Sequence, residues 1–100
     1  MGHIGDRIIY EDERVRIWEM VLEPGEASPA HHHELDYVVA VVEGDRLAVE
    51  PVGDDDARGG PGYGDEPVGP GSVYSLRRGA SEVARNTGET TYRDIQIEFK

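Results

Sequence analysis

Apolar stretches of strand length, each closed by glycine or proline, restrict this chain to β structure. Arg14 to Leu22 alternates in two sets, with Val15, Ile17, Glu19 and Val21 on one side and Arg16, Trp18, Met20 and Leu22 on the other. That is the period of an extended strand, whose successive side chains point to opposite faces. The pattern leaves open which set faces inward. Tyr37 to Val42 is apolar on both faces, as expected of a strand covered by the core on one side and by a second sheet or a second subunit on the other. Arg46 to Pro51, Ser72 to Leu76, Ser81 to Asn86 and Thr91 to Phe99 complete the strands. Turn chemistry at Pro24-Gly25, Glu43 to Asp45, Arg78-Gly79 and Thr87-Gly88 separates them. The 13 glycines and 6 prolines are too many for a helical chain of 100 residues. Residues 1–100 are therefore read as a single all-β domain, with no internal repeat or boundary.

The charge balance narrows the partners. Asp and Glu number 21 against 10 Lys and Arg, leaving a formal net charge of -11. Such a surface repels polyanions over about a Debye length, which argues against nucleic acid and anionic membrane. Without cysteine there is no disulfide framework and no thiolate zinc site. No apolar run of the length needed to cross a bilayer occurs, and Met1 to Arg7 lacks the basic-then-apolar pattern of a signal peptide, so a cytoplasmic location is expected. Gly53 to Gly71 reads as a loop with room for one short hairpin. Its glycines Gly60, Gly62 and Gly64 precede no helix pattern, which rejects a phosphate loop, and Asp54 to Asp56 lack the spacing of a calcium loop.

The run Gly25 to His33 has the form G-x5-H-x-H. Pro29 holds the chain extended just before the histidines, so strand alternation sends His31 and His33 to one side and His32 to the other. Two imidazoles on one face make half of a metal site. A second glycine-bearing, acidic segment, Gly71 to Asn86, offers a possible third ligand.

These residues resemble the cupin superfamily, small β-barrels with two sequence motifs. The first, G-x5-H-x-H-x3,4-E-x6-G, is matched by Gly25, His31, His33 and Gly44, with Tyr37 where the family has Glu. The second, G-x5-P-x-G-x2-H-x3-N, is matched by Gly71, Gly79 and Asn86, with Arg77 in place of Pro and Glu82 in place of His. Together they cover Gly25 to Asn86. The runs HHHELDYVV and RDIQIEFK look like small single-domain cupins of the β-alanine degradation type.

The resemblance implies a cupin-type jelly-roll β-barrel of two antiparallel sheets. It places Glu82 inside the barrel beside His31 and His33, giving a two-His plus carboxylate site for a divalent transition metal (Fe, Zn, Mn or Ni). Tyr37 shares parity with the histidines, so an unbroken strand turns its ring into the barrel, where its hydroxyl serves as a hydrogen-bond donor or general acid. A β-bulge between His33 and Tyr37 would instead make Asp36 the carboxylate ligand. His32 and Glu34 are expected to face outward. Arg77, Arg78 and Arg85 suit surface ion pairs or a carboxylate-bearing substrate. The expected function is metal-dependent chemistry on a small molecule, of isomerase, lyase, cyclase or dioxygenase class; the competing one is a metal-free barrel that binds or senses a small ligand. The second apolar face of Tyr37 to Val42 makes a homodimer the expected assembly.

Overall fold

The structure is a computed structural model that describes residues 2–52 and 64–100. Nine strands form among the described residues, all paired antiparallel: β1 (Arg7–Glu11), β2 (Val15–Leu22), β3 (His31–His32), β4 (Tyr37–Glu43), β5 (Arg46–Pro51), β6 (Gly64–Pro67), β7 (Val73–Leu76), β8 (Ser81–Arg85) and β9 (Tyr92–Phe99). They make a five-stranded sheet, β1-β2-β9-β4-β7, and a four-stranded sheet, β3-β8-β5-β6. The expected jelly-roll barrel of two antiparallel sheets is what forms. Among the described residues no helix is long and apolar enough to cross a membrane. Asp54 to Asp56, Gly60 and Gly62 lie outside the described residues.

Burial settles the orientation of β2. Trp18, Met20 and Leu22 are buried while Val15, Ile17 and Val21 are only half-buried, so the set containing the indole faces in. Met20 and Leu22 pack with Val41, Ala84 and Tyr92 as the core, and Leu47, Val68 and Tyr74 close around them.

β9 is inverted with respect to hydropathy. Its buried set is Tyr92, Asp94, Gln96 and Glu98, whereas Ile95 and Ile97 point outward and Phe99 is exposed. The register records this: β9 lies between β2 and β4, with Met20 and Val41 both opposite Asp94, and directly opposed residues share a face, so Asp94 points inward with them.

β1 and β6 do not stand out in the sequence. All five residues of β1 are exposed, and it pairs with β2 alone across a bulge between Ile8 and Tyr10. An alternation signal needs one buried face, and this edge strand has none. Asp12 makes the hairpin, its Oδ1 accepting from the N–H groups of Arg14 (2.8 Å) and Val15 (2.9 Å). β6 comes from the Gly- and Pro-rich stretch read as a loop.

All four glycines of the two spacings, Gly25, Gly44, Gly71 and Gly79, have positive φ (86, 127, 90 and 109°), a backbone region that other residues rarely enter. At Gly44 space is short as well, since a Cβ would lie 2.9 Å from Cδ2 of Tyr92. Asn86 is a structural tie. Its amide nitrogen donates to the carbonyls of Leu22 (2.9 Å) and Thr90 (2.8 Å), and its amide oxygen accepts from Gly88 N–H at 2.9 Å. Asn86→Ala leaves these three backbone groups unpartnered at a position 1 % exposed. We expect it to cost about 3 kcal/mol and to lower the thermal midpoint by roughly 10–20 °C in a domain of this size. A midpoint unchanged in a calorimetric scan contradicts that role.

Candidate metal centre

Antiparallel pairing of β3 with β8 sets His31 directly opposite Glu82, so both side chains leave the sheet on one face. His33 lies just beyond β3. Its N–H donates to the carbonyl of Ala80 and its own carbonyl accepts from Gly79 N–H, each at 2.8 Å, which carries the pairing with the chain before β8 one residue further. The result is a buried cluster in which His31 and His33 are each 1 % exposed and Glu82 is 7 % exposed. The rings meet edge to face with centroids 5.0 Å apart. Glu82 Oε1 lies 2.9 Å from His33 Nε2 and 3.7 Å from His31 Nε2, and one ligand atom from each residue lies within 4.8 Å of the others.

Tyr37 arrives from the opposite sheet. The strand does not run unbroken from the histidines to the tyrosine as the parity reading assumed; the chain crosses between sheets, and β4 turns the ring inward by its own alternation. The phenol ring stacks on His33 with centroids 3.7 Å apart and planes 4° from parallel. Its hydroxyl donates to Glu82 Oε1 at 3.4 Å.

The protonation pattern follows from the partners. His31 Nδ1 lies 2.9 Å from the carbonyl oxygen of Pro29, which can only accept, so Nδ1 carries a hydrogen. In the neutral ring, Nε2 then turns a lone pair toward the Glu82 carboxylate. Burial lowers the pKa of His33 despite the hydrogen bond and charge of Glu82, favouring a neutral ring. Its Nε2–H donates to Glu82, and buried Nδ1 has no partner. For Glu82, burial pushes the pKa up but the two imidazoles beside it outweigh burial, bringing it down to about 2.

These three donors fit a divalent cation. Ligand atoms about 2.0–2.2 Å from one ion sit roughly 3–3.6 Å from each other, close to the spacings from Glu82 to the two imidazoles. The lone pair of His31 Nε2 and the carboxylate oxygen repel unless a positive charge lies between them. The Pro29 carbonyl already fixes the far nitrogen of His31, as a metal-ligating imidazole requires.

Asp36 takes no part. It is exposed, and its Oδ1 accepts from Arg78 N–H at 2.9 Å. No bulge reverses its direction, so the alternative of Asp36 as the carboxylate ligand is overturned. His32 is half-buried against Ser81, with Nδ1 2.7 Å from its Oγ, and Glu34 is exposed as expected. Arg85 pairs with Glu50 at 3.4 Å on the surface.

A cavity of about 40 Å³ lies between the sheets, bordered by His31, Glu82 and Tyr37. Its opposite wall carries two residues the sequence reading missed, Asp94 and Gln96 of β9. Asp94 is 1 % exposed. Its Oδ2 accepts from Tyr92 O–H at 2.6 Å and its Oδ1 from Gln96 Nε2 at 3.1 Å. The signal was present as the alternation Tyr92, Asp94, Gln96, Glu98 against Ile95, Ile97, Phe99, but hydropathy assigns the apolar set to the core.

No family model matches this chain, and no curated protein matches it. Solved structures do. A cupin domain from Bordetella pertussis is 24 % identical over 94 % of this chain and 90 % of its own, with a TM-score of 0.76. A cupin superfamily protein from Desulfitobacterium hafniense is 12 % identical over 99 % and 83 % of the two chains, with a TM-score of 0.65. A polyketide cyclase from Streptomyces resistomycificus is 23 % identical over 88 % of this chain and 56 % of its own, with a TM-score of 0.62. The fold is therefore that of the cupins. These likenesses do not reach the narrower comparison with β-alanine degradation proteins.

Burial pushes the Asp94 carboxyl up to about 6 from 3.8, against the lowering effect of its bonds to Tyr92 and Gln96. Between about pH 4 and 6 the folded state keeps a proton that the unfolded chain has released, so this group's contribution to stability falls by about 3 kcal/mol as pH rises through that window. Asp94→Asn should remove the loss. The midpoint of the variant relative to wild type is then expected to rise from pH 4 to pH 7, and a difference independent of pH refutes the assignment.

Proposed function

We propose that this cupin barrel is a metal-dependent enzyme acting on a small oxygen-bearing molecule, with a divalent ion held by His31, His33 and Glu82. The observation that carries the reading is the buried convergence of His31, His33 and Glu82, of which His31 and Glu82 border a cavity between the sheets. Two nitrogens and one oxygen suit Fe(II), Zn, Mn or Ni, and leave coordination positions for a ligand. When bound, such an ion supplies Lewis acidity to an oxygen of the substrate.

The chain's own residues do the rest. The Pro29 carbonyl orients the His31 ring, and Tyr37 braces His33 by stacking on it. The Tyr37 hydroxyl, at the edge of the cavity and bonded to Glu82, is placed to donate to an oxygen that gains negative charge or to hand it a proton. Met20, Val39 and Leu76 keep the surroundings apolar, which strengthens each of these interactions. Isomerase, lyase, cyclase and dioxygenase chemistry all begin from such an arrangement, and the likeness to a polyketide cyclase supports keeping cyclisation among them. A non-catalytic, metal-free barrel that binds a small ligand is the second reading, favoured by the direct 2.9 Å bond between His33 and Glu82 and by Tyr37 at the family's glutamate position.

The test is metal determination after reconstitution with each ion separately and removal of the excess. We expect about one equivalent in the wild type. We also expect an affinity lower by at least about two orders of magnitude in Glu82→Gln, since even losing an outer partner of a ligand costs ten- to a hundredfold. Less than a tenth of an equivalent of every ion refutes the enzyme reading.

We further propose that a second copy of the chain covers the outer face of the five-stranded sheet. Val38, Ile17, Ile95 and Ile97 are only half-buried there, and Val42 (48 %) and Phe99 (46 %) are exposed, an apolar surface of the kind that interfaces use. Light scattering should give twice the mass of one chain for wild type and a single mass for Ile97→Glu. A monomeric wild type refutes the dimer.

A further inference from the structure

The inward polar set of β9 has no role in holding the ion. Asp94 and Gln96 project from the five-stranded sheet into the cavity that His31 and Glu82 border from the four-stranded one, so two polar groups face each other across apolar walls. Burying a carboxylate in the core is costly, and an apolar residue of similar size is often as stable or more so. Tyr92 and Gln96 hold Asp94 from two sides, so the carboxylate is fixed in orientation rather than free to turn away. The Gln96 amide oxygen has no hydrogen-bond partner among the described residues. The cavity therefore presents two fixed acceptors on the wall opposite the metal donors.

We propose that Asp94 and Gln96 form the recognition end of the cavity and select a small molecule that carries a hydroxyl group, of the α-hydroxy acid or α-hydroxy ketone class. The inference rests on the metal reading for the other end: the carboxylate or carbonyl oxygen of the ligand lies toward His31, His33 and Glu82, and its hydroxyl donates to Asp94. Size agrees. At roughly 10–15 Å³ for each enclosed water the cavity has room for about three, the scale of a very short carbon chain. A hydroxyl suits the site better than an ammonium group, because the walls between the two ends are apolar apart from Glu66 and a full charge loses more solvation on entering them. Charge strengthens the hydrogen bond that Asp94 accepts, so a neutral replacement of the same shape should weaken it.

Calorimetric titration at pH 8 tests this with glycolate, methoxyacetate (glycolate with its hydroxyl capped by methyl) and glycine, each added to wild type, Asp94→Asn and Gln96→Leu with and without Mn²⁺. Mn²⁺ alone is titrated separately. We expect Mn²⁺ to bind all three proteins within about threefold of one another. Glycolate should bind wild type at least about tenfold more tightly than either variant, and at least about tenfold more tightly than methoxyacetate or glycine binds wild type, each tenfold being about 1.4 kcal/mol. The arm without metal keeps the same ratios at lower absolute affinity. It reads Asp94 and Gln96 even if wild type takes up no Mn²⁺, an outcome that would refute only the metal reading. Glycolate binding equally to wild type and both variants, glycine binding better than glycolate, or no glycolate binding to wild type in either arm overturns the proposal. So does a parallel loss of Mn²⁺ in Asp94→Asn, which would make Asp94 part of the metal centre.

Discussion

The position of β9 between β2 and β4 governs the interior. An antiparallel strand hydrogen-bonded on both edges has its facing set by its neighbours, and here those neighbours present Trp18, Met20 and Leu22 on one side and Tyr37 and Val41 on the other. A slip of one residue would bury Ile95 and Ile97 and expel Asp94, Gln96 and Glu98, so it is the observed register, with Asp94 opposite Met20 and Val41, that keeps the polar set inside. The strand therefore keeps its polar residues inside, and the cost is met locally. Tyr92 and Gln96 donate to Asp94, and Trp18 Nε1 donates to Glu98 Oε1 at 2.6 Å. The same constraint leaves an apolar outer face, so the polar cavity and the exposed sheet surface have one cause.

The glycine spacing was legible in the sequence because it records backbone geometry. Gly25, Gly44, Gly71 and Gly79 occupy positive φ, and Asn86 ties the end of β2 to the turn at Gly88 and Thr90 through its side chain, so these positions tolerate little else. The pairing of His31 with Glu82 was legible for a related reason: the turns those glycines close fix which residues of β3 and β8 stand opposite each other. What the sequence did not display was the crossing between sheets after His33. Parity arguments hold only within one strand, and Tyr37 reaches the site from the other layer. Asp94 and Gln96 stayed hidden because hydropathy assigns facing from the strand itself, whereas here its partners decide it. β1 escaped for the opposite reason, having no buried face to produce an alternation.

The electrostatics of the interior run against the surface. Within a strongly acidic protein, the hydrogen bond donated by His33 favours the ionised form of the buried Glu82, while burial favours the neutral form of His33. The carboxylate therefore accepts from His33 and Tyr37 at once, while His31, with its Nδ1 hydrogen committed to Pro29, turns a lone pair toward it. An excess of acceptors over donors at one point defines a place for a cation. The unpartnered Nδ1 of His33 is the remaining imbalance, and a hydrogen relocated there when Nε2 takes up another partner would have no acceptor among the described residues. His33 is thus the more adjustable of the two imidazoles and His31 the fixed one.

Tyr37 at the family's glutamate position changes what the site can do. A fourth anionic donor would bring more negative charge and fill a coordination position, whereas a phenol stacked flat on His33 adds no charge and leaves that position open. It also brings a hydrogen-bond donor to a site otherwise rich in acceptors. Glu82 supplies from β8 the carboxylate that β4 lacks, so the negative charge is conserved while its place in the barrel moves to the opposite sheet. The donor set is then gathered on the four-stranded sheet, and the five-stranded sheet is left to contribute Tyr37, Asp94 and Gln96. Separating the candidate metal donors from the remaining polar groups onto two facing layers leaves the cavity between them with polar groups on both walls.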